Sequence, residues 1–120
     1  MSPKPMIPLP SEHDEQVAFR TEFMLRYPGV VIIAIANGGS RHTVEAVRLK
    51  QEGVTPGVPD MYIPAYGLWV EMKRKGGRLS PVQTEMISYL RSIGDTVVVG
   101  YGAEDAIRQV SEHIDIMRMR

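Results

Sequence analysis

Asp60, Glu71 and Lys73 are the residues whose types and spacing point most directly to chemistry. They lie in the stretch from Gly57 to Lys73, G-V-P-D-M-Y-I-P-A-Y-G-L-W-V-E-M-K, which reads as a β-hairpin turning at Ala65 and Tyr66, where Pro64 and Gly67 break the pattern. The turn pairs Ile63 with Leu68, Tyr62 with Trp69, Met61 with Val70 and Asp60 with Glu71. Side chains alternate along a strand, so Met61, Ile63, Leu68, Val70 and Met72 share an apolar face, and Asp60, Tyr62, Trp69, Glu71 and Lys73 share the other. A slip of one residue would push the charges into the core. Directly opposed Cβ atoms sit roughly 4.5–5.5 Å apart, which brings the two carboxylates together with Lys73 one step along. Carboxylates that close repel unless a cation lies between them. That cation is hard and oxygen-seeking, Mg²⁺ or Mn²⁺, because the donors at hand are carboxylates, water and carbonyls such as that of Met72, and the chain has no cysteine. Such an ion acidifies water and offsets charge on a phosphate, while Lys73 orients the nucleophile or stabilises the developing oxyanion. This is the chemistry of phosphodiester hydrolysis. An isolated E-x-K on an exposed strand is ordinarily a solvated ion pair; the opposed Asp60, behind Gly57 and Pro59, sets this one apart.

The elements around the hairpin follow from local signals. Pro3, Pro5, Pro8 and Pro10 make residues 1–10 an extended arm, and residues 11–120 read as one domain. Ser11 with Asp14 opens a helix that Pro28 stops. Phe19 and Phe23 mark its buried stripe, with Glu15 and Glu12 one and two turns earlier on the same side. One of these acids is placed to point at the metal, although first-turn acids also simply complement the helix dipole. Val30 to Ala36 is a continuous β-branched apolar run and predicts a strand buried on both faces at the centre of the sheet. Asn37-Gly38-Gly39-Ser40 is a turn, and Thr43 to Glu52 a short helix closed by Gly53. After the hairpin, Ser80, Pro81 and Gln83 form a capping box that opens a helix running to Gly94. Gln83 is either that cap alone or also a neighbour of the site. Thr96 to Val99 is a short buried strand, and Ala103 to Met117 a helix with Ala106, Ile107, Val110, Ile114 and Met117 at core spacing.

Composition sets the outer limits. A chain of 120 residues suffices for one core and not for two. No apolar run approaches the roughly 18 residues of a membrane span, so no membrane partner is expected. The absence of cysteine fits a cytoplasmic protein. Fourteen basic residues balance fourteen acidic ones, which by itself argues against nucleic acid, but the distribution is uneven. Arg41, Arg48, Lys50, Arg74, Lys75 and Arg78 cluster around the proposed site and, with His42, are the candidate contacts to phosphate.

P-D followed by E-x-K on the next strand resembles the PD-(D/E)XK nuclease superfamily. The surrounding words are similar to its virus-type replication-repair nuclease branch, the VRR-NUC domain. They are S-E-H-D-E-Q (Ser11 to Gln16), N-G-G-S-R (Asn37 to Arg41), K-Q-E-G-V-T-P-G-V-P-D (Lys50 to Asp60), W-V-E-M-K (Trp69 to Lys73) and L-S-P-V-Q (Leu79 to Gln83). The resemblance covers most of the chain. It implies an α/β fold with a restriction-endonuclease-like core, a mixed β-sheet flanked by helices. It also implies a Mg²⁺-dependent DNA endonuclease, with Mn²⁺ able to substitute. Asp60, Glu71 and the Met72 carbonyl would hold the metal, and Lys73 would assist the attacking water. The family's first acidic residue falls in the opening helix and is carried over to Glu15 rather than Glu12, as a further ligand. Its glutamine falls at Gln83, where it holds a water or the phosphate. Members often carry proline where Ala36 stands. Phage-type members resemble homodimers suited to four-way (Holliday) junctions or other branched DNA in a bacterial or phage-infected cytoplasm, while larger relatives act on flaps. The carboxy-terminal helix, with Ile114, Ile116, Met117 and Met119, or the proline-rich arm, is the expected dimer contact.

Overall fold

A computed structural model describes residues 7–36 and 43–119 of the chain. Helix α1 spans Glu12–Arg26, capped by the Ser11 hydroxyl, which accepts the Asp14 amide at 3.1 Å. Strand β1 is Ile33–Ala34 and helix α2 Thr43–Gln51. Strands β2 (Met61–Ile63) and β3 (Leu68–Lys73) form the hairpin, joined by a 3₁₀ turn over Pro64–Tyr66 that ends at Gly67. Helix α3 (Pro81–Ser92), strand β4 (Thr96–Tyr101) and helix α4 (Ala103–Arg118) complete the order. The strands lie in the order β1-β2-β3-β4, antiparallel except for β3 and β4, which are parallel. This mixed α/β sheet with helices around it has the expected architecture.

The hairpin has the register that alternation demands: Met61 opposite Val70, Tyr62 opposite Trp69 and Ile63 opposite Leu68. Its apolar face buries Met61, Ile63, Leu68, Val70 and Met72 in the main core, with Phe19 and Phe23 of α1, Val98 of β4, and Ala106, Ile107, Val110 and Ile114 of α4. The opposite face carries a smaller core in which Ile87 and Leu90 of α3 meet Val97, with Trp69 and Val99 packed alongside. Helices therefore cover the sheet on both sides, and β2 and β3, each paired on both edges, are its inner strands, β3 being the longer.

The expectation that the Val30 to Ala36 run forms the centre of the sheet does not hold. Only Ile33 and Ala34 pair, at the sheet's edge, and Val31 and Ile33 are exposed at 62% and 43% while Ile32 is buried. Apolar composition is necessary for a central strand, but pairing decides it. The inner places went to β2 and β3, and the charged residues of β3 are sheltered by α1 and α3. The turn at Asn37 to Ser40 lies outside the described residues.

Candidate active site

Asp60 reaches its position through the loop before β2. Gly57 has φ +81, and a Cβ there would lie 2.5 Å from the Val82 carbonyl oxygen, so only glycine lets the loop press onto the first turn of α3. Pro59 is fully buried behind it. The Asp60 carbonyl accepts the Ile35 amide at 2.7 Å, and its Oδ2 accepts the Met72 amide at 2.7 Å across the hairpin. The carboxyl group is thereby fixed beside Glu71.

Glu71 is 1% exposed. Its Oε1 accepts a long hydrogen bond, 3.4 Å, from Gln83 Nε2, and its Oε2 is buried without a hydrogen-bond partner among the described residues. Burial first, then the charge of Asp60 and a hydrogen bond with it, push the Glu71 carboxyl up to about 9; Lys73 opposes the shift and Glu12 adds to it. Lys73 does not offset the burial and the neighbouring carboxylate, and Oε2 stays without a partner among the described residues. The donors fit a hard divalent cation, which would relieve both the repulsion and the orphaned oxygen. No three carboxylate, histidine or cysteine side chains are spaced to hold a metal among the described residues, so Asp60 and Glu71 would be joined by main-chain oxygen and water.

Lys73 is 8% exposed, with its Nζ 3.7 Å from Glu12 Oε2, and its carbonyl accepts the Gly102 amide at 2.8 Å. Gln83 caps α3 and also faces Glu71. Its Oε1 accepts the Ser80 amide at 2.9 Å and its own amide donates to Ser80 Oγ at 3.3 Å, completing the capping box. Because the cap uses the oxygen, the amide nitrogen is left facing Glu71.

Of the two candidate acids in α1, Glu12 lies on the side of the site, next to Lys73 and lining the same cleft as Asp60. Glu15, to which the resemblance assigns the ligand role, is buried against the start of α4, where its Oε1 accepts the Ala103 amide at 3.2 Å. Helical spacing alone puts both on one flank; the seating of α1 against α4 separates them. Glu12, Asp60, Ser80 and Gln83 form one end of a cleft of about 540 Å³, which continues along Leu49, Lys50, Val54, Pro56, Val58 and Val82. Arg74, Lys75 and Arg78 are exposed on the loop that leaves β3 just beyond Lys73. Arg48 sits on α2 with its charge 3.8 Å from Glu52, away from the cleft's acids. Arg41 and His42 lie outside the described residues. Gly57 stands out in the sequence with Pro59 ahead of Asp60, whereas nothing in the sequence distinguishes Gly102 from a turn glycine.

A mixed sheet flanked by helices, with one acid leading into a strand and acid-x-lysine on the next, defines a nuclease-like domain. Neither a family model nor a curated protein matches the chain. Among solved structures, one titled "VRR_NUC domain protein" matches 91% of this chain and 92% of its own, with a TM-score of 0.73 and 26% identity. Over nearly its whole length the chain is therefore similar in fold and in sequence to a VRR-NUC domain protein.

Proposed function

We propose that the domain is a metal-dependent endonuclease that hydrolyses DNA phosphodiesters, acting as a homodimer on four-way junctions or other branched DNA. The observation that carries this reading is the adjacency of the half-buried Asp60 carboxylate, at the entry to β2, to the buried Glu71 on β3, the strand that also presents Lys73. Asp60, Glu71 and the Met72 carbonyl would hold Mg²⁺ or Mn²⁺, which supplies acidification of water and charge neutralisation at the phosphate. The chain's own residues do the rest. Asp60 is kept in place by the Met72 amide, and Gln83 fixes the orientation of Glu71 through its Nε2. The Lys73 ammonium, sheltered and next to Glu12, orients the attacking water and stabilises charge building on the phosphoryl oxygens. Lys50 along the cleft and Arg74, Lys75 and Arg78 beyond it contact the flanking phosphates.

A second reading, a preference for flaps or single strands, is favoured by the apolar wall of the cleft. Leu49, Val54, Val58 and Val82 suit the face of an unpaired base better than the charged backbone of a closed duplex. A panel of four-way, flap, nicked and single-stranded DNA separates the two. Cleavage is expected with Mg²⁺ or Mn²⁺ and little turnover with Ca²⁺, whose larger, looser coordination acidifies water less. Full activity in excess chelator would overturn the metal mechanism.

A further inference from the structure

We propose that Glu15 is a positioning residue: it fastens the first turn of α1 to the amino end of α4 and, through Gly102, holds Lys73 at the site. This rests on the nuclease reading above only for its effect on cleavage.

Helix α4 begins without a cap of its own. Its N-cap is Gly102, which has no side chain to accept the helix's free amides. The position also excludes one, since φ is +95 and a Cβ would lie 2.9 Å from Glu15 Oε2 and 3.1 Å from Lys75 Cε. The acceptor that α4 lacks is brought from 88 residues away: Glu15 Oε1 takes the Ala103 amide at 3.2 Å, its second oxygen buried beside Gly102. A carboxylate at a helix amino terminus is also favoured by the dipole. One residue earlier, the Gly102 amide donates to the Lys73 carbonyl at 2.8 Å. The main chain of Lys73 is thus tied to the junction that Glu15 closes. Its side chain meets Glu12, one turn back on the same helix, at 3.7 Å. Fixing α1 against α4 therefore fixes both the lysine and the acid that faces it.

Two substitutions test this. Glu15→Gln keeps a carbonyl oxygen for the Ala103 amide, and Glu15→Ala removes it. With Glu15→Ala, kcat on a cleavable junction is expected to fall about tenfold or more, as misplacement of a catalytic group does, while the Mg²⁺ concentration for half-maximal rate stays put. Hydrogen exchange at the Gly102 and Ala103 amides should quicken. Glu15→Gln should bring both readouts back, with cleavage within about threefold of wild type, as conservation of the acceptor requires. Glu12→Gln, by contrast, should lose cleavage without disturbing those amides. Loss of cleavage in Glu15→Gln with a raised Mg²⁺ requirement would make Glu15 a ligand and overturn the proposal. Unchanged amide exchange in Glu15→Ala would overturn it as well. Should Glu15→Ala fail to fold, Glu15→Gln alone decides. A wild type that cuts no DNA, with the exchange pattern as expected, supports the tether and counts against the nuclease reading alone.

Discussion

At the scale of single residues, the chemistry rests on groups that would be unstable where they are without one another. Replacing Asp60, Glu71 or Lys73 with alanine should each lower Mg²⁺-dependent cleavage by at least about 10²-fold, because each removes transition-state stabilisation and not merely binding. Folding should persist, and cleavage near the wild-type rate by a clean preparation of any one would refute the assignment. Glu71 also links stability to pH. Its carboxyl is raised from 4.5 to about 9, so between those values the folded, metal-free domain keeps a proton that the unfolded chain has released. Its contribution is full below about pH 4.5 and is lost as pH rises toward 9, at most about 1.4 kcal/mol per pH unit. In chelator, melting temperatures should fall from pH 5 to 8.5 in wild type and fall less in Glu71→Gln. Equal slopes in the two proteins would mean that Glu71 is ionised in the fold. Asp60, Glu71, Lys73 and Gln83 were legible in the sequence because alternation and capping chemistry are local rules. That Glu12 meets Lys73 while Glu15 meets α4 was not, since it depends on how one helix sits against another contributed by the far end of the chain.

At the scale of elements, the hairpin could be read to the residue and the edge strand could not. A hairpin carries its own partner three residues away, whereas an isolated apolar run such as Val30 to Ala36 says nothing about what will pair with it. The loop from Gly53 to Asp60 was legible only as a family word. Its physical content is the close approach of Gly57 to α3, where a Cβ would meet the Val82 carbonyl oxygen at 2.5 Å. Gly57→Ala should therefore destabilise the domain by about 1–3 kcal/mol, from the clash and the positive φ together. It should also displace Asp60, three residues on, so that cleavage falls even well below the melting temperature. Thermal melting and cleavage rate measured on one preparation check both parts, and unaltered activity with a lowered melting temperature would show that the approach is structural only.

At the scale of the whole molecule, the last prediction is a two-fold dimer on branched DNA. One chain presents one pair of carboxylates with one lysine, and cutting two strands symmetrically requires two such sites related by an approximate two-fold axis, the commonest symmetry of protein assemblies. No net charge draws the chain to DNA, so affinity must come from the local set Lys50, Arg74, Lys75 and Arg78, and joining two sets widens that surface. Part of the expected contact face is unavailable, because Ile114 is fully buried in the core of its own chain and Met117 is half-buried. Ile116 and Met119 remain, 55% and 85% exposed and three residues apart near the end of the described chain; Val31 and Ile33 stand out on the edge strand. Replacing Ile116 and Met119 together with lysine should abolish a dimer built on α4 while leaving the fold intact, since neither side chain is buried in the core. Four phosphate contacts per chain would give a dependence of log affinity on log salt with a slope of about −3.6, and two chains about twice that. Sedimentation at micromolar concentration, the salt slope on a four-way junction, and the placement of nicks on opposing strands measure the same property in three ways. A monomer with the shallower slope and unpaired nicks would mean that the domain cuts one strand at a time.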